Sequence, residues 1–211
     1  MEIVWLGHAC FRIKGKETSL ITDPFPKNLG YSLTRVTADI VTVSHPHPGH
    51  SYVEGVGGDP KVVRRPGEYE IGNVLINGFS TFHDDEQGKR LGKNTVYLME
   101  IDQVLVCHLG DLGHIPTSDQ VAELSGVEVL LVPVGGKSTL DGAAAAKTVR
   151  LLEPRLVIPM HFKTPATSRD LEPVDRFLKE MGLKDPEPQP KLSVTKSNLP
   201  PNTQVVLLEH R

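Results

Sequence analysis

The chain is poor in several things, and each shortage excludes a class of protein. Only Cys10 and Cys107 are cysteines among 211 residues, and they form no CxxC pair, so no disulfide framework is expected. Basic residues do not predominate: 23 Lys and Arg stand against 26 Asp and Glu, a net charge of −3. That balance lacks the clustered positive face of nucleic-acid binders, and none is expected as a partner. No apolar run approaches the ~20 residues that span a bilayer, so no membrane role is expected. Glu2, Arg12 and Lys14 sit where a signal peptide would need apolar residues, so the expected location is the cytoplasm. At 38% hydrophobic and 23% charged, the composition is that of a folded domain rather than a disordered one.

Glycine (19) and proline (17) are present in surplus, which points to many tight turns between strands and loops. The length fits one domain over 1–211, built from two pseudo-halves of about 1–103 and 104–211. Short runs rich in apolar or β-branched residues dominate the first half: Glu2 to Leu6, Cys10 to Lys14, Ser19 to Thr22, Ile40 to Val43, Lys61 to Arg64, and a run ending at Phe82. Asp84 to Asn94 is charged, contains two glycines, and reads as an exposed loop; Thr95 to Ile101 and Val104 to Cys107 resume the strand pattern. Helices are expected from a Ser118 cap to Gly126, over Ala143 to Leu152, and from about Glu172 to Met181. Val127 to Val132 and Arg155 to Ile158 read as buried strands, and a Pro-rich 185–190 linker precedes two closing strands near Leu192 and Val205 to Leu208.

The nine histidines are unevenly spread. His45, His47 and His50 fall within six residues, directly after the strand at Ile40 to Val43. In extended chain, residues i and i+2 point the same way, so His45 and His47 can converge; Gly49 permits the turn that brings His50 round. His83, Asp111 and His161 each follow another apolar run, at the strand edge where binding groups gather in α/β sheets. Imidazole and carboxylate converging in this way point to a metal centre. Gly136-Lys137-Ser138 invites a phosphate-loop reading, but the glycine required five residues earlier is Leu131.

The ordered set Ser44-His45-Pro46-His47-Pro48-Gly49-His50, then His83, Gly110-Asp111 and Met160-His161, resembles the metallo-β-lactamase-fold hydrolases, whose signature is His-x-His-x-Asp-His, a distant His, an Asp and a final His. The phrases Trp5-Leu6-Gly7-His8-Ala9, Thr22-Asp23-Pro24, Leu109 to Gly113 and Pro133 to Gly136 look like the compact branch that includes L-ascorbate-6-phosphate lactonase. The resemblance implies an α/β fold, a four-layer αβ/βα sandwich of two mixed sheets flanked by helices. It implies a first metal subsite at His45, His47 and His83, and a second at His50 and His161, with Asp111 bridging. Asp111 and His50 would be the catalytic residues, Asp23 would steady the histidine loop from behind, and His8 would lie near the rim.

The cofactor so implied is Zn2+, one or two ions, with Mn2+, Fe2+ or Ni2+ as alternatives. The expected function is hydrolysis of a lactone, phosphodiester or similar ester by a metal-activated water, on an anionic small molecule, with a homo-oligomer as the expected assembly. One departure keeps alternatives open. The signature Asp is Gly49, which offers no oxygen, so a mononuclear hydrolase or a metal-binding but catalytically degenerate regulatory protein also fits; Asp84 or Asp85 is the candidate to compensate.

Overall fold

The computed structural model describes all 211 residues. Its strands are β1 (Glu2–Gly7), β2 (Cys10–Lys14), β3 (Ser19–Thr22), β4 (Ile40–Thr42), β5 (Lys61–Val63), β6 (Gly67–Ile71), β7 (Val74–Phe82), β8 (Lys93–Ile101), β9 (Val104–His108), β10 (Val129–Pro133), β11 (Leu156–Met160), β12 (Leu192–Ser193) and β13 (Gln204–Val205). Three α-helices interleave with the later strands: α1 (Ser118–Glu123), α2 (Gly142–Leu152) and α3 (Asp175–Glu180). The first sheet runs β12-β1-β2-β3-β4-β5 and the second β13-β11-β10-β9-β8-β7-β6. Both are mixed: β1 to β3 and β6 to β9 pair antiparallel, whereas β3-β4-β5 and β9-β10-β11-β13 are parallel. The division between sheets falls after Val63, so β6 to β8 join the second sheet although they lie in the first sequence half.

Strand periodicity explains why the sheets stack. Along β1, Ile3 and Trp5 enter a core of 42 buried residues shared with the second sheet, while Val4 and Leu6 enter a separate cluster of 11 on the opposite face. Leu20 against Ile21, and Ile40 against Val41, repeat the alternation. The first sheet is therefore buried on both sides. Its outer cover, Phe25, Leu29, Tyr31, Ala38 and Val56, comes from loops and 3-10 turns rather than α-helices. The second sheet is covered by helix: β10 and β11 are buried throughout, and α2 contributes Ala145, Ala146, Val149 and Leu152 to the shared core.

Helix ends follow local chemistry. Thr117, not Ser118, caps α1, closing a reciprocal box with Gln120, and Asp141 caps α2 through the Ala144 amide. Expected to begin near Glu172, α3 begins at Asp175, because the backbone of Glu172 is bound elsewhere: its N–H donates to Gly135 O and its carbonyl accepts from Lys163. Strand β6, unexpected from the sequence, pairs with β7 through a Gly72-Asn73 turn. The segment 84–92 is a series of turns rather than a free loop. Asp84 is buried, and its carboxylate accepts backbone N–H bonds from Glu86, Gly88, Arg90 and Leu91. Desolvation raises its pKa, yet these four amides outweigh it and hold the carboxyl at about 2.

Candidate metal centre

The chemistry-bearing residues all stand in the turns that leave β1, β3, β4, β7, β9 and β11, on one edge of the stacked sheets. The β1–β2 turn carries His8, Asp23 follows β3, and His45, His47 and His50 follow β4. His83, Asp111 and His161 follow β7, β9 and β11. Three of them, His8, Asp23 and His161, hold positive φ (54°, 39° and 54°), a conformation unfavourable for side chains with a Cβ and concentrated at functional sites. Two glycines make the gathering possible. At Gly110 a Cβ would collide with Asn94 and Ser44, and at Gly135 with the His161 carbonyl, so both backbones approach closer than another residue allows.

The hub is one carboxylate oxygen. Oδ2 of Asp111 lies 3.1 Å from His50 Nε2, 3.2 Å from His83 Nε2, 3.4 Å from His161 Nε2 and 3.9 Å from His45 Nε2. Those five residues are all less than a tenth exposed. Three groups place their ligand atoms within 4.8 Å of one another: His45, His83 and Asp111; His45, His47 and His50; and His8, His50 and His161. His47, expected beside His83, falls instead with His45 and His50, and its Nδ1 accepts the Gly49 N–H.

Supporting bonds fix which ring nitrogen faces the centre. Asp23, fully buried, accepts from His50 Nδ1 at 2.9 Å, from the Ser44 N–H at 2.7 Å and from the Ser44 hydroxyl at 2.6 Å. His83 donates Nδ1–H to the Ser138 carbonyl at 2.8 Å, so its Nε2 lone pair points at Asp111. Asn94 accepts the Asp111 N–H and donates to Leu109 O and Thr81, locking the turn after β9.

His8 is not at a rim. It is 1% exposed, with Nε2 3.0 Å from His50 Nε2 and its ring centroid 4.2 Å from that of His161, the planes tilted by 36°. Its carbonyl accepts both Trp5 Nε1–H and the His161 N–H, coupling the two sheets at the site. Of the two acids considered as replacements for a carboxylate at position 49, Asp84 is excluded, since its oxygens are consumed by its own turn. His108 is fully buried and bonded to Ala9 O, and His210 packs edge-on against Trp5 and Tyr31 rather than lying free on the surface.

Electrostatics match a cation-seeking cluster. Burial opposes charge on His50, but Asp111 and Asp23 outweigh it and hold its pKa at about 10. Burial, with the neighbouring His50 charge, pushes His45 down to about 3, so it offers a neutral imidazole. Despite its burial, Asp111 is held well below the usual carboxylate range by His161 and His50. Of the five buried side-chain atoms that find no protein partner, three belong to the cluster: His45 Nε2, Asp111 Oδ1 and His161 Nδ1; Arg12 Nε and Thr42 Oγ1 lie outside it. The unpartnered His45 nitrogen and Asp111 oxygen, buried among the Nε2 atoms of His50, His83 and His161, are what a divalent ion satisfies; these residues fit one.

Beside the cluster opens a cavity of about 400 Å³ lined by His45, His47, His83, Asp111, Lys93 and Arg169, among others. Sequence reasoning missed Arg169. Its loop follows His161 directly, which is the only signal that could have suggested it.

Comparisons with known proteins agree with this geometry. A family profile described as a beta-lactamase superfamily domain matches residues 2–161. A UPF0173 protein of Pyrococcus furiosus is 35% identical over 190 residues, covering 78% of this chain and 84% of the relative. A UPF0173 metal-dependent hydrolase of Pyrococcus horikoshii is 30% identical, covering 84% and 92% respectively. Among solved structures, a Thermotoga maritima protein described as a Zn-dependent hydrolase of the metallo-beta-lactamase superfamily superposes with a TM-score of 0.82 and 40% identity, over 100% of this chain and 99% of that one.

Proposed function

The chain belongs to the metallo-β-lactamase superfamily and is a metal-dependent hydrolase, and from that premise we propose that it cleaves a lactone, phosphodiester or related ester at a zinc centre. The observation that carries this reading is the convergence of four histidine Nε2 atoms on Asp111 Oδ2 within 3.1–3.9 Å. His45, His83 and Asp111 would hold one ion, His50, His161 and the shared Asp111 would hold a second, and His47, grouped with His45 and His50, would be a further donor. Nitrogen and oxygen donors in this ratio suit zinc, with Mn2+, Fe2+ or Ni2+ as alternatives. When bound, the ion supplies Lewis acidity that polarises the ester and lowers the pKa of water toward ~7.

The protein's own groups do the rest. Asp23 keeps the proton on His50 Nδ1, so that Nε2 is offered to the centre. Asp111 Oδ1, buried and unpartnered, is the acceptor available to orient a proton of the attacking water. The half-closed cavity limits bulk water around the scissile bond.

A mononuclear site is the second reading, favoured by Gly49 and by the cationic Arg169 standing next to it. Elemental mass spectrometry of metal per chain, together with a screen of lactones and phosphodiesters, separates the readings. Two equivalents with turnover support a dinuclear hydrolase, and one with turnover supports the mononuclear form. Metal without turnover on any ester means a binding role, and no metal overturns the proposal.

A further inference from the structure

Gly49 and Arg169 share one piece of space. A Cβ built on Gly49 would stand 3.3 Å from Arg169 Nη2 and 3.1 Å from His47 Nδ1, so the guanidinium occupies the ground into which a side chain at 49 would grow. The backbone of Arg169 is pinned: its N–H donates to Thr167 Oγ1, and its carbonyl accepts from Lys163 Nζ and from the Leu171 N–H. The side chain, by contrast, has no protein partner. Half-buried on the wall of the metal-centre cavity, the guanidinium enters no ion pair and none of the protein's hydrogen bonds.

Other cations nearby behave differently. Lys137 pairs with Asp170, Arg90 with Glu86 and Arg176 with Asp141. Lys93, which lines the same cavity, is likewise without an ion pair, and Asp111, already ringed by histidines, is the only carboxylate on the lining. Two free cations therefore face a space that holds one committed carboxylate. A guanidinium presents five donors in a rigid fork that matches the paired oxygens of a carboxylate or phosphate, and one left without a protein partner on a cavity wall is placed to receive such an anion.

We propose that Arg169 is a substrate-recognition residue, gripping an oxyanion carried by the ester substrate so that the scissile group lies over the metal centre. This rests on the hydrolase reading and narrows it to substrates bearing a carboxylate or phosphate. The neutral space left by Gly49 keeps the fork free, because an acidic side chain there would pair with it internally.

The test is calorimetric titration of methyl phosphate, and separately of acetate, into the wild type, Arg169→Gln and Arg169→Lys, each in metal-loaded and metal-free form, with metal content measured in parallel. The expected result is that the wild type binds at least one probe and that Arg169→Gln weakens it by roughly tenfold or more. Arg169→Lys should restore part of the loss, with metal content unchanged in both variants. The probe that Arg169 discriminates assigns the anion as phosphate or carboxylate. Equal affinity in the wild type and Arg169→Gln, or no binding of either probe to the wild type, overturns the proposal. A wild type that takes up no metal but still loses anion binding in Arg169→Gln would instead overturn the hydrolase reading and leave the anion site standing.

Discussion

Asp23 touches no cavity, yet its carboxylate carries three hydrogen bonds that set the His50 ring and the Ser44 turn. Asp23→Asn keeps the shape but weakens its hold on His50 Nδ1–H. Metal affinity should fall by roughly 10–100-fold, measured by chelator competition, with secondary structure unchanged by circular dichroism. His50 also sets a pH dependence. Its pKa is raised from 6.5 to about 10, so its charge stabilises the metal-free fold fully below 6.5, and that contribution is lost as pH rises through about 10. Metal must displace this proton, so affinity should climb with pH across that window. Near neutral pH, ion binding should release roughly one proton per chain, read from calorimetry in buffers of differing ionisation enthalpy. His8 offers a third test at this scale. His8→Asn retains the positive φ that asparagine tolerates while removing the ring packed against His161, and should loosen the ion held by His50 and His161 rather than the one at His83.

Elements behave as units, and the turn segment between β7 and β8 shows it. Four amides converge on Asp84, and the segment they shape contributes Leu91, Gly92 and Lys93 to the cavity wall. Asp84→Ala should accelerate amide hydrogen exchange at 86, 88, 90 and 91 by roughly tenfold or more, leaving the core strands protected. Nothing in the local sequence marks Asp84 as different from Asp85 and Glu86, because the difference lies in which carboxylate its own turn encloses. The strands were far more legible. β2 and β3 follow directly from short apolar-rich runs between turn residues, and the ligand-bearing turns after β4, β7, β9 and β11 stand where apolar runs end. β6 was missed although Glu68-Tyr69-Glu70-Ile71 alternates polar and apolar residues: the run is short, and Tyr69 and Ile71 are only partly buried at the edge of the sheet. The depth of His8 and the reach of Arg169 depend on the two sheets closing over one edge, a long-range event with no local trace.

At the scale of the whole molecule, the centre draws its groups from both sheets: His45 and His50 from the first, His83, Asp111 and His161 from the second. An ion bound there links the sheets and binds the folded state alone. At a free metal concentration near a thousand times Kd, linkage contributes about 4 kcal/mol, so chelation should lower Tm by roughly 10 °C in a chain of this size. A shift absent under chelation, with metal release verified, would mean the two sheets hold together without it. No helix is long and apolar enough to cross a membrane.

The order in which the donors appear along the chain has a consequence for its synthesis. The shared core joins residues from both ends, and the last of the candidate donors, His161, lies three quarters of the way along the polypeptide. A ribosome adding residues at ~5–20 per second exposes His45, His47 and His50 many seconds before Asp111 and His161 emerge to join them. Until then the cell's free metal meets only a partial, weakly binding set. Full occupancy therefore reports that translation has run past His161 and that both sheets have docked, and a truncated or misfolded product would stay unloaded.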